Sequence, residues 1–277
     1  MQVCARKASL STWIGSGMRR LPENMSVGNY GAEGVWVVRV RWLRVLAVIA
    51  GTALLMASSC SFQPGYLRGV PPPAGPPVPK IDTHIKGRPA DQLRGWAEQL
   101  APPLNIPPRA LEAYGYAARV AEVENPKCHI AWTTLAGIGM IESHHGTYRG
   151  AKIQPNGDVT PPIRGVPLDG TMNNMRIPDS DAGEMDSDGA VDRAMGPMQF
   201  IPDTWKLYGV DADNNGFASP DNIDDAALSA AGYLCYRGKD LSTPHGWMDA
   251  LHAYNLSDDY ARAVRDWATA YANGHQR

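Results

Sequence analysis

The sequence predicts a mainly α fold, on three observations. Apolar residues recur at three- and four-residue spacing in successive segments, and Pro or Asp/Asn punctuates their ends. No convincing strand run stands outside one long polar segment. Residues 91–100 form the first predicted helix, with Leu93, Trp96, Ala97 and Leu100 on one face and Pro102-Pro103 as breakers. A second covers residues 108–124, with Leu111, Tyr114, Ala118 and Ala121 on its apolar face and Pro126 ending it. A third starts near Ile130 and carries Glu142. Residues 146–195 follow, rich in Gly, Pro, Asp and Asn, with room for one short hairpin. A loop this long in a compact domain is usually functional or disordered. Helices resume at residues 202–208, 224–237, 247–255 and 258–272, with Asp at or near several starts as an N-cap. The pattern supports a single core.

The N-terminal part has a different character. Arg39, Arg41 and Arg44 precede an apolar run over residues 45–57, which leads through small residues to Cys60. That is the shape of a secretory signal, and it is shorter than the roughly 20 apolar residues of a membrane span. Met56-Ala57-Ser58-Ser59-Cys60 resembles a bacterial lipobox, with Ala57 where Leu is favoured, so Cys60 is the expected lipidation site. The alternative is an ordinary secreted protein cut nearby. Residues 1–34 make a long lead-in, and Met18, Met25 or a codon near Val35 are alternative starts. The expected organisation is a leader over residues 1–60, a Pro-rich linker over 61–80 and a folded domain over 81–277. The expected location is the cell envelope, at a membrane through the lipid.

Without residues 1–60 the chain carries 19 basic and 26 acidic residues, a balance near −7 that argues against nucleic acid as a partner. Of the four cysteines, Cys4 leaves with the leader and Cys60 is the lipid candidate. Cys128 and Cys235 remain as a disulfide pair suited to an oxidising compartment, two buried thiols being the alternative.

The chemistry concentrates in Leu135-Ala136-Gly137-Ile138-Gly139-Met140-Ile141-Glu142-Ser143, a lone carboxylate ending an apolar helical run. Burial there disfavours the anion, so Glu142 is expected to hold its proton near neutral pH, as a donor to a glycosidic oxygen must. The bland alternative is a helix-end Glu pointing into water. Further on, Asp211-Ala212-Asp213-Asn214-Asn215-Gly216-Phe217 has oxygen ligands at positions 1, 3 and 5 and Gly at 6, the opening of an EF-hand calcium loop. Asn222 replaces the closing Glu at position 12, so the expected affinity is modest, and an Asp/Asn-rich turn that binds nothing is the alternative.

Four pieces then occur in order: Glu142-Ser143; Ala194-Met195-Gly196-Pro197-Met198-Gln199-Phe200-Ile201-Pro202; Ala231-Gly232-Tyr233; and Ala253-Tyr254-Asn255 through Tyr260. Together they resemble the lysozyme-like lytic murein transglycosylases, in the manner of the membrane-bound lytic transglycosylase B group in its actinobacterial form. The resemblance spans about residues 91–272. It implies a lysozyme-like helical catalytic domain with a long irregular loop and an EF-hand-like loop. It implies Glu142 as the single acid/base, Ser143, Gln199, Tyr233, Tyr254, Asn255 and Tyr260 around the substrate, and no cofactor for catalysis. Met198 and Phe200 read as core or cleft wall, and Tyr114 as a further cleft candidate. The same resemblance closes the metal loop with Asp225, giving Asp211, Asp213, Asn215, Phe217 and Asp225 as ligands of a structural Ca²⁺, with Asp221 and Asp224 as rivals. The implied substrate is the glycan strand of peptidoglycan, cut to leave 1,6-anhydro-N-acetylmuramic ends.

Two other readings stay open at this point. Asp192 precedes the Met-Gln turn closely enough to enter the cleft as a second carboxylate, which would make the protein a hydrolytic muramidase. A peptidoglycan-binding lipoprotein without activity is the other. The loop over residues 146–195 is either a solvated acidic segment or a lid.

Overall fold

The structure, a computed structural model, describes residues 70–171 and 174–277. The leader, Cys4, Cys60 and the first part of the linker lie outside the described residues.

Seven α-helices and two small antiparallel strand pairs make the described fold: α1 Arg94–Leu104, α2 Pro108–Glu124, α3 Trp132–Ser143, β1 Lys152–Ile153, β2 Val159–Thr160, β3 Arg164–Pro167, β4 Arg193–Met195, α4 Pro202–Tyr208, α5 Ile223–Gly238, α6 Pro244–Tyr254 and α7 Asp258–Ala272. It is a mainly α, lysozyme-like domain. None of the described helices is long and apolar enough to cross a membrane.

The apolar α3 is the central helix, buried almost all round. α7 crosses it so closely that a Cβ at Gly137 would lie 2.6 Å from the Val264 carbonyl oxygen, and on the α2 side a Cβ at Gly139 would lie 2.0 Å from the Tyr114 hydroxyl. α5 packs on α2 and α6 on α5, and Leu111, Leu135, Ile138, Met198, Phe200, Trp247 and Tyr254 belong to one continuous core. The Cys128–Cys235 disulfide is formed and ties the α2–α3 connection to α5 across 107 residues. In the chain-entropy picture such a loop contributes about 4–5 kcal/mol.

Several sequence expectations are corrected. The first helix begins at Arg94, after a 3-10 turn over Pro89–Leu93, and runs through Pro102 and Pro103. Both prolines lie on the exposed side of the last turn, while Leu104 is drawn into the core. The side-chain caps are Asn222, Thr243 and Ser257, not Asp; aspartates occupy the first turn of α5 and α7 instead, where the helix dipole favours them. Thr243 and Pro244 start α6 three residues before the first predicted position.

The linker is not a free spacer up to residue 80. Thr133 Oγ1 donates to the Pro73 carbonyl at 3.1 Å, Trp132 Nε1 donates to the Pro76 carbonyl at 2.9 Å, and Val78 packs on the core. Proline carbonyls accept well and need no partner for an N–H, so the segment docks as a strap across the start of α3.

The segment 146–195 holds two strand pairs rather than one hairpin: β1 with β2, and β3 with β4. Its turns are held by carboxylates accepting backbone N–H groups. Asp179 takes Asp181 and Gly183, Asp181 takes Met185, and Asp188 takes Ala190.

Behind the C-terminus of α3, the His145 ring is sealed between two phenols, Tyr114 at 3.2 Å from Nδ1 and Tyr271 at 2.9 Å from Nε2. Burial pushes the imidazole down to about 3 and both phenols up. The unfolded chain titrates its histidines near 6.5, so it takes up the proton that the folded state refuses. Stability therefore falls as pH drops below about 6.5, by about 1.4 kcal/mol per pH unit for this group until pH 3 is approached. Urea unfolding between pH 7 and 4.5 should show a shallower acid dependence for His145→Asn than for the wild type; parallel slopes would contradict a neutral His145.

Candidate active site

Glu142 stands one residue from the end of α3, half-buried. The Tyr260 hydroxyl donates to its Oε1 at 2.6 Å. Tyr260 lies in the first turn of α7, which Ser257 caps by accepting the Tyr260 N–H at 3.4 Å. The helix that crosses α3 at Gly137 thus delivers its first-turn phenol to the acid.

A ladder of tyrosines backs this pair. The Tyr254 ring lies parallel to that of Tyr260, 6.5 Å between centroids, and its hydroxyl donates to the Met198 carbonyl at 2.7 Å. Tyr233 stands edge-on to Tyr254 at 5.9 Å and donates to the Ala253 carbonyl at 2.8 Å. Burial raises the Tyr233 phenol above its ordinary value. Asn255 is buried, and its Oδ1 accepts the Ser257 N–H at 3.0 Å. Tyr254 and Asn255 thereby shape the α6–α7 junction from which Tyr260 projects.

The turn over residues 195–200 is joined to the end of α3 through Ser143, the residue after Glu142. Met195 N–H donates to the Phe200 carbonyl at 2.7 Å and Phe200 N–H returns the bond at 3.0 Å, so the backbone doubles back. Gln199 sits in the left-handed region at φ 52°, and its Nε2 donates to the Gly196 carbonyl at 2.9 Å. Met198 and Phe200 are fully buried, as core.

Ser143 does not face a substrate. It is buried, its hydroxyl donates to the Pro197 carbonyl at 2.6 Å and accepts the Gly146 N–H at 2.7 Å. It is the clamp between the end of α3 and the Met-Gln turn. That link was missed from sequence; its one trace is a small hydroxyl residue directly after Glu142. Tyr114 is likewise no cleft residue, since it is sealed against His145. Asp192 is buried inside the long loop, where its carboxylate accepts the Ser180 N–H and hydroxyl, both at 2.9 Å. Burial raises its carboxyl above the ordinary value.

In the acidic loop, carboxylate oxygens of Asp211, Asp213 and Asp225 lie within 4.8 Å of one another. Asp225 also accepts the Ala212 and Ser219 N–H groups at 2.7 and 2.8 Å. Burial pushes Asp225 up to about 7 and raises Asp213. Asn215 lies against the cluster, its amide donating to Asp213 at 3.0 Å. The Phe217 ring is exposed, which leaves its carbonyl as the group for a ligand role. The two rivals are committed elsewhere: Asp221 to Arg164 at 2.6 Å, and Asp224 to Arg88 at 2.7 Å. Three converging carboxylates are a fit for a hard cation with oxygen ligands.

Residues 171–249 match a family model described as Transglycosylase SLT domain. The match supports a lytic transglycosylase acting on peptidoglycan. It takes in the Met-Gln turn, the acidic loop and Tyr233, and stops short of Glu142 on one side and Tyr260 on the other. Comparison with curated proteins and with solved structures found no match.

The clamp carries a prediction. Ser143→Ala leaves the buried Pro197 carbonyl and Gly146 N–H without this partner, which should lower unfolding free energy by about 1–3 kcal/mol in urea titrations. An unchanged midpoint would remove Ser143 as the link between helix and turn.

Proposed function

We propose that this chain is a lytic transglycosylase of the membrane-bound lytic transglycosylase B type, held at the cell envelope by a lipid on Cys60. It would cut the β-1,4 bond between N-acetylmuramic acid and N-acetylglucosamine. The observation that carries this reading is a half-buried carboxyl, Glu142, bonded to Tyr260 between a tyrosine ladder and a Met-Gln turn.

In the proposed sequence, protonated Glu142 gives its proton to the glycosidic oxygen as the bond from that oxygen to C1 breaks. The substrate's own N-acetyl oxygen supports the positive charge at C1. Glu142, now a carboxylate, takes the proton of the muramyl C6 hydroxyl, and O6 closes on C1 to give the 1,6-anhydro ring. Water is not consumed, and the proton count on Glu142 returns to its start. Tyr260 orients the carboxyl and stabilises it when ionised. The hydrolytic alternative leaned on Asp192, whose carboxylate is held by Ser180 within the loop.

Glu142→Gln should reduce release of soluble fragments from purified sacculi by at least about a hundredfold with an unchanged melting temperature. Tyr260→Phe should reduce it roughly ten- to a hundredfold. A Glu142→Gln variant that keeps appreciable activity would show that another group is the acid.

We also propose that Asp211, Asp213 and Asp225, with Asn215 and the Phe217 carbonyl, hold a structural Ca²⁺. Its positive charge would stabilise three carboxylates that burial and mutual repulsion otherwise oppose. Calcium at about a hundredfold over its Kd should stabilise chelator-treated protein by about 2.7 kcal/mol, seen as a higher melting temperature. Asp211→Ala should abolish the gain. No shift in the wild type would leave the loop an ordinary turn.

A further inference from the structure

One groove adjoins the machinery described so far at Tyr233 and Ala253. It runs between the C-terminal end of α5 and the outer face of α6, encloses about 570 Å³, and is lined by Tyr233, Tyr236, Arg237, Lys239, His252 and Leu256 among others. That size suits a small ligand or a short peptide. Its inner wall is Tyr233, the far rung of the ladder that runs through Tyr254 and Tyr260 to Glu142. Three rings, Tyr260, Tyr254 and Tyr233, therefore separate the acid from the groove, with 6.5 and 5.9 Å between successive centroids, a span that about four extended residues of a peptide cover.

Its chemistry differs from the rest of the surface. Arg237 and Lys239 are both exposed, and among the described residues neither enters an ion pair. The Lys239 ammonium sits 4.4 Å above the Tyr236 ring, on a backbone held at φ 63°, ψ −67° where α5 ends. Tyr236 and Leu256 are 57% and 54% exposed, so an apolar rim flanks the cations. The acid on the lining, Asp249, lies 3.3 Å from His245, and His252 is bonded to Asp258 at 2.9 Å. Two cations outside any ion pair among the described residues, and one carboxylate, Asp249, thus line the groove of a domain whose overall balance is acidic.

We propose that this groove is a subsite for the acidic peptide carried by peptidoglycan, with Arg237 and Lys239 receiving its carboxylates and Tyr236 and Leu256 its aliphatic parts. The proposal rests on the reading that the chain acts on peptidoglycan. Neutral sugars are held by stacking and by neutral hydrogen bonds, whereas an exposed guanidinium beside an ammonium selects carboxylates. In a peptidoglycan repeat those carboxylates belong to the peptide. Cations at a helix C-terminus also complement its dipole, so the test must separate binding from helix stability.

The experiment is titration calorimetry of the full chain carrying Glu142→Gln, which keeps the strands intact. The ligands are soluble uncross-linked murein strands, either with their peptides or stripped by an amidase that leaves only the lactyl carboxylate. Arg237→Gln/Lys239→Gln should weaken binding of peptide-bearing strands about tenfold more than binding of stripped strands, with melting temperature unchanged. Equal weakening on both ligands would place sugar or lactyl group in the groove and overturn the proposal, as would no weakening on either. A parent protein that binds neither ligand would contradict the peptidoglycan reading itself.

Discussion

The close crossing of α7 over α3 is the constraint on which the rest of the site depends. With a side chain at position 137, the Val264 backbone could not lie where it does, and α7 would be pushed outward. The two helices run so that Val264 meets Gly137 while Tyr260, one turn earlier, meets Glu142. A displacement of even an ångström at the glycine would open the 2.6 Å bond between phenol and carboxyl. Gly139 does the same on the other side, where the Tyr114 hydroxyl fills the space a Cβ would take. Two glycines in a helix are unfavourable by propensity, by about 1 kcal/mol each relative to Ala, and here close packing offsets that.

A second group of interactions fixes what faces the acid. Ser143 bonds the end of α3 to Pro197, and Tyr254 bonds α6 to Met198 in the same turn. The Met-Gln turn is thus tied at adjacent carbonyls to α3, which carries Glu142, and to α6. The turn, Glu142 and Tyr260 form one braced unit. The acidic loop lies beyond it, joined through Arg164, which leaves β3 to bond Asp221 at 2.6 Å.

The sequence made the helices and the acid legible because both leave a pattern. Burial of one helix face writes a 3.6-residue period, and α2, α4, α5 and α7 lie within a residue of their expected bounds. Glu142, Gln199, Tyr254 and Tyr260 were singled out by motif; Tyr260 bonds the Glu142 carboxyl, and Tyr254 bonds the turn that carries Gln199. What was misread is order that comes from polar contacts. The aspartate-bonded turns of residues 146–195, the strap held by two proline carbonyls and the Ser143 clamp all rest on a few local hydrogen bonds that leave no period in the sequence. Tyr114 was misplaced for a related reason: a buried phenol bonded to a histidine has the same spacing as one facing a cleft.

The measurement that tests the central claim most directly is the mass of fragments released from purified sacculi by the wild-type protein. A single acid/base with the muramyl C6 hydroxyl as nucleophile yields ends in 1,6-anhydro-N-acetylmuramic acid, lighter by one water than hydrolysed ends. Reducing ends at the heavier mass would mean that water attacks, and would contradict the assignment of Glu142 as acid and then base in an intramolecular closure.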